Sequence, residues 1–154
     1  MKKIIALGLL LLLVGCDRFP KDPEHTLEEV TNGTLIIGYS SNPPWVVKHT
    51  GEPGGIEAEI LTEYANTLSA DVEWVNDTEQ NLYEKLEKKE VHLVIAGITN
   101  DNPWIKRVAF TRPYLQLNKK KHVIAAARGE NAFIMDLEKF LYSKESQIKK
   151  ELIR

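Results

Sequence analysis

Gly38-Tyr39-Ser40-Ser41-Asn42 opens like a nucleophile elbow, the sharp turn that lifts a serine hydroxyl above a sheet, but Asn42 stands where that turn needs its last glycine. The four histidines lack metal-ligand spacing. The one thiol, Cys16, closes an apolar N-terminal run. These residues predict neither an enzyme nor a cofactor or metal site. What remains is binding chemistry. Thr99, Asn100, Asp101 and Asn102 can cap a helix that has Pro103 at its first position, and free N–H groups there, with the Thr99 hydroxyl, suit an anionic or polar partner. The Ser40 to Trp45 loop adds a hydroxyl and a large aromatic face.

The elements that must position these residues are legible from periodicity. Thr34 to Tyr39 reads as a strand, and Val91 to Ala96, rich in β-branched residues and too short for a helix, as a strand buried on both faces. Ile56 to Leu68 carries Ile60, Leu61, Tyr64, Ala65 and Leu68 on one stripe of a helix, with Glu57, Glu59 and Glu63 toward its start. Asp71 to Val75 alternates as a second strand, and Leu82 to Lys89 forms a second helix. His122 to Ala127 reads as a further strand, and Asn131 as the cap of a helix with Phe133, Leu137, Phe140 and Leu141 inward. In open α/β sheets ligands bind beyond the carboxyl ends of the strands, which places Ser40, Trp45, Gly97 and Thr99 together. Trp45 either offers its face to a ligand or packs as a lid on the core. Glu57 either contacts a ligand or only stabilises its helix.

The stretch from Val91 to Tyr114, with Gly97, Thr99, Phe110, Thr111, Pro113 and Tyr114, resembles the first lobe of periplasmic solute-binding proteins that serve amino-acid ABC importers, whose motif is close to GxTxTxxRxxxxxFSxPY. The resemblance covers most of the chain beyond residue 33. It implies an α/β fold: a single lobe of the type II periplasmic-binding-protein class, a mostly parallel sheet with helices on both faces and one returning antiparallel strand. It also implies a ligand site drawn from Ser40, Trp45, Glu57, Gly97 and Thr99. At the position of the family's carboxylate-gripping Arg this chain has Trp104; Arg107 or Arg112 could substitute or serve as surface charge. We therefore include Trp104 and Arg107 among the candidate ligand-binding residues.

His122 to Leu141 resembles the strand and helix that return from a second lobe, joined here almost directly to the outgoing Phe110 to Tyr114 segment. The expectation is a lobe whose partner lobe is missing. Forgoing on the order of 100 Å² of apolar burial at ~25 cal/mol/Å² forfeits ~2.5 kcal/mol, so a free monomer should hold small polar solutes weakly. Trp45 and Trp104 are then expected on a concave face covered by a second copy or a membrane transporter partner. A single-lobe interaction module is the alternative to a solute receptor.

Composition agrees with one domain: 154 residues, 43% hydrophobic, 27% charged. The formal charge of −2 becomes −4 once Lys2 and Lys3 are removed with a signal segment, and nucleic acid is not an expected partner. Lys2, Lys3 and the apolar Ile4 to Val14 run form an export signal too short to span a bilayer. Leu13-Val14-Gly15-Cys16 resembles a lipobox, with Cys16 the lipidated residue and a membrane anchor facing the periplasm or exterior. The expected organisation is residues 1–15 as lipoprotein signal, 16–33 as tether, and 34–154 as the lobe.

Overall fold

Leu35 and Ile37 point to one face of strand β1 (Thr34–Tyr39), Ile36 and Gly38 to the other, and helices cover both. In the computed structural model, which describes residues 22–152, β1 lies parallel to β2 (Asp71–Asn76) on one side and to β3 (Leu93–Ile95) on the other. The sheet order is β2-β1-β3-β7-β4, with β7 (Ala125–Ala126) antiparallel to both β3 and β4 (Ala109–Phe110). This is the expected mostly parallel sheet with one returning strand.

On the Leu35 and Ile37 face pack α1 (Thr26–Val30), α2 (Ile56–Thr67) and α4 (Asn131–Glu151), joined through Tyr64, Phe133, Leu137 and Leu141. The opposite face is covered by α3 (Glu79–Glu87), whose Leu82, Tyr83 and Leu86 meet Val94 and Ala125, and by a 3-10 helix (Pro103–Lys106). Gly38 lets strand and helix pack closely there: a Cβ would lie 2.8 Å from the Leu82 side chain, which would have to shift. Asn102 caps the 3-10 helix as expected, accepting from the Trp104 N–H at 3.0 Å, with Pro103 at its start.

Between the outgoing β4 segment and the returning β7 stands a short hairpin, β5 (Leu115–Leu117) and β6 (Lys120–His122). Asn118 and Lys119, at φ 48° and 68°, both adopt the left-handed conformation that a two-residue hairpin turn requires. No second lobe interrupts the chain at this point.

Several boundaries differ from the sequence-based expectation. His122 to Ala127 is not one strand. His122 pairs with Leu115 across the hairpin, whereas Ala125 and Ala126 enter the main sheet. Helix α3 starts earlier than Leu82, because Thr78 caps it by accepting from the Asn81 N–H. Asn131 does not cap α4; it is the first helical residue, and the preceding Glu130 turns its buried carboxylate to Thr26 (2.9 Å) and Lys89 (3.4 Å). The same contacts correct the tether. Val30 is fully buried, and Asp22 accepts from the Leu27 N–H at 2.8 Å, so the folded unit includes residues from Asp22 onward rather than starting at Thr34. The signal segment and Cys16 lie outside the described residues. Among the described residues, no helix is long and apolar enough to cross a membrane.

Candidate functional site

At the carboxyl ends of β1 and β3 the chain changes direction twice, and both turns are locked to the start of α2. The first N–H groups of α2 need partners, and Pro44 and Trp45 supply them: their carbonyls accept from Ile56 (3.2 Å) and Glu57 (2.9 Å). Gly97 ends β3 at φ 64° and donates its N–H to the Glu57 carboxylate at 2.9 Å. A Cβ on Gly97 would come within 2.4 Å of the Trp45 indole, so glycine is required there for space as well as for conformation. Asn42 completes the floor by donating to the Ala96 carbonyl at 2.7 Å.

Glu57 is the electrostatic centre of this arrangement. Only 2% exposed, it accepts from the Tyr114 hydroxyl at 2.5 Å on one oxygen and from Gly97 on the other. Burial pushes its carboxyl up to about 7, while the Tyr114, Gly97 and Ala96 donors pull the other way. Tyr114 is itself raised well above its ordinary value by burial and by the adjoining carboxylate. Over this network lies an aromatic stack. The Trp45 indole faces the His122 imidazole at 3.9 Å and 28°, and Tyr114 stands edge-on to Trp45 at 6.5 Å. Burial holds His122 below the ordinary histidine range; the Gly97 backbone opposes this and Lys120 adds to it. Its Nδ1 has no hydrogen-bond partner.

Of the predicted site residues, Trp45, Glu57 and Gly97 converge. Ser40 adjoins them, half-buried, its N–H extending the ladder to Ile95 at 3.2 Å. Thr99 bridges to His122, and its hydroxyl donates to Asp101 rather than outward. Trp104 and Arg107 are elsewhere. Trp104 stacks on Tyr83 of α3 at 5.1 Å, and the Arg107 guanidinium lies 4.6 Å over that indole while two of its nitrogens hold Glu87. α3 runs back between two parallel strands, so its last residue, Glu87, lies at the end of the sheet away from Gly97. Arg107 therefore offers no carboxylate grip at the strand ends.

The expectation of two uncovered aromatics on a concave face is overturned. Trp45 is 7% exposed and belongs to the core, closed by His122 and Tyr114, and Trp104 is half-buried against α3. Sequence reasoning also missed Asn42, Tyr114 and His122 as site residues. Tyr114 stood in the quoted motif, and His122 was the one polar residue at the head of the apolar Val123 to Ala127 run. Among the described residues, no group of three or more His, Cys, Asp or Glu side chains could hold a metal.

A deep groove lies beside this site, of about 710 Å³, between the β5–β6 hairpin and α4. Arg112, Tyr114, Lys121, Met135, Glu138 and Tyr142 line it.

Solved structures that share this architecture include two amino-acid-binding proteins. The arginine-bound form of domain 1 of TmArgBP superposes with a TM-score of 0.68 at 24% identity, covering 75% of this chain and 97% of that one. An ancestral cationic amino acid solute binding protein superposes with a TM-score of 0.72 at 14% identity, covering 82% and 98%. Among curated proteins, the membrane-bound lytic murein transglycosylase F of Saccharophagus degradans is 29% identical over 122 residues, 77% of this chain and 24% of that protein. Its counterpart in Vibrio cholerae is 31% identical over 103 residues, 65% of this chain and 19% of that protein. The chain thus spans 19% to 24% of the length of these curated relatives. Residues 35–152 match the model of the bacterial extracellular solute-binding proteins, family 3, and the chain belongs to that family.

Proposed function

We propose that the lobe is a non-catalytic binding module for a small amino-acid-like solute, displayed on the outer side of the cell membrane, with its solute seat at the ends of β1 and β3. The observation that carries this reading is the convergence of Trp45, Gly97 and Glu57 with Tyr114 around one buried carboxylate. Small-molecule sites combine this sort of aromatic lining with a few convergent polar groups. The arginine-bound single domain among the solved relatives supports a solute seat that needs only one lobe. Absence of a usable arginine at Trp104 or Arg107 argues for weak binding of the solute carboxylate. In a thermal-shift screen of the common amino acids at millimolar concentration, at least one is expected to raise the melting temperature, since any ligand that favours the folded state stabilises it by mass action. A screen with no stabilising amino acid would contradict the reading.

A second reading, a module that meets a protein or another copy of itself, is favoured by the groove against α4, where Met135 is 42% and Tyr142 80% exposed. It replaces the expected contact through Trp45 and Trp104, since Trp45 is buried and Trp104 is committed to α3.

Membrane attachment is proposed through Cys16, on the lipobox-like Leu13 to Cys16 run and in keeping with relatives described as membrane-bound. Changing Cys16 to Ser should shift the protein from the membrane to the soluble fraction after cell fractionation. A Ser variant that stays with the membrane would rule out the lipid anchor.

A further inference from the structure

We propose that the His122 side chain is a built-in occupant of the solute seat, stacked on Trp45 where a planar cationic group such as a guanidinium would lie, and that solute enters as the imidazole turns out. The inference rests on reading the strand ends as a solute site. Three features of His122 support it.

The first is the stack itself. The rings are nearly parallel at 3.9 Å, so the imidazole covers one face of the indole as a flat ligand would. The second is the unpartnered Nδ1. His122 is 5% exposed, and this nitrogen is left without a hydrogen bond in a site where every oxygen of Glu57 is satisfied. A buried polar atom without a partner weakens the hold of the packed position. The third is the backbone. The His122 carbonyl accepts from Tyr114 at 3.0 Å, the strand bridges to Thr99, and Val123 donates to Ile98 at 3.0 Å. The main chain is pinned on both sides, so the seat opens through a side-chain rotation alone.

The walls indicate which ligand competes best. Trp45 and Tyr114 give aromatic surfaces, and the Trp45 indole packs directly against Gly97, whose N–H donates to Glu57. Indole is the strongest of the aromatic rings in attracting a cation. A neutral imidazole, kept neutral here by burial, forgoes that attraction. A guanidinium combines a flat shape suited to the stack with a charge suited to the indole face, so it outcompetes the resident ring where an uncharged amide of the same shape does not.

The test uses the full chain in detergent micelles, with 13C-labelled histidine, and reads the His122 ring signal, which the Trp45 ring current displaces. L-Arginine is expected to move that signal toward the position of a solvent-exposed histidine, and L-citrulline, its uncharged counterpart, to leave it in place. In a His122→Ala variant, arginine affinity should rise about tenfold or more, because a resident ring that fills the seat over nine-tenths of the time reduces apparent affinity by that factor. If that variant does not fold, His122→Gln replaces it, and the wild-type measurement needs no substitution. Arginine bound with the His122 signal unmoved, or with no gain in the variant, overturns the displaceable occupant while leaving the solute site standing. Citrulline matching arginine overturns the cationic class. No binding by any amino acid in either protein overturns the solute site and the occupant together.

Discussion

Trp45→Ala is expected to lower the free energy of unfolding by about 3–5 kcal/mol, the range for truncating a buried Trp or Phe. The indole is packed among Val46, Ile56, Tyr114 and the His122 ring, and its loss opens a void over Gly97 that the pinned backbone around it cannot collapse to fill. A rim aromatic on a flexible loop would instead cost little. Urea unfolding of the variant decides between these, and a midpoint close to the parent's would mean that Trp45 is not the core residue described above.

Glu57 should make stability fall as the pH rises. Its carboxyl sits at about 7 in the folded protein against an ordinary 4.5, so the fold favours the protonated form. The stabilising contribution is complete below pH 4.5 and is lost as the pH climbs through about 7, a change of about 3 kcal/mol. His92 and His122 act in the opposite sense. Burial holds both below the ordinary histidine range, so their contribution is lost on acidification and recovered as the pH rises toward 6.5. The informative quantity is therefore the difference between the parent and a Glu57→Gln variant, which removes only the carboxyl titration. That difference should shift in the variant's favour by about 3 kcal/mol between pH 4.5 and 8. A difference constant across that range would show that Glu57 is not buried against Tyr114 and Gly97.

The architecture was legible because local and global signals agree. Thr34 to Tyr39 and Ile56 to Thr67 carry strand and helix patterns that their buried neighbours reward, and the returning strand and last helix follow the same logic. Half of the site was legible too. Gly97 and Trp45 follow parallel strands, where polar and aromatic loop residues gather. The closure was not, because His122 reaches Trp45 through a hairpin whose register depends on Asn118 and Lys119 both adopting left-handed conformations. Nothing in the local pattern around His122 signals a stacked partner on a distant loop. Of the two roles open to Arg107 in the sequence, its ion pair supports surface charge. Its partner Glu87 closes a helix on the opposite face, and the place of Arg107 along the sequence carries no information about faces. The charges of Asp22 and Glu24 read as those of a solvated tether, yet Asp22 accepts from Leu27 and Glu24 pairs with Lys89 at 2.9 Å.

The central claim is that the carboxyl ends of β1 and β3 hold the solute, and amide chemical-shift mapping of the 15N-labelled protein tests it most directly. Titrated with the amino acid that stabilises it most, the protein should show its largest shifts at Ser40, Gly97 and Thr99, whose N–H groups border the Trp45 and Glu57 seat. Shifts confined to Arg112, Met135 and Tyr142, beside the groove against α4, would contradict that placement and move the binding surface to the other side of the hairpin.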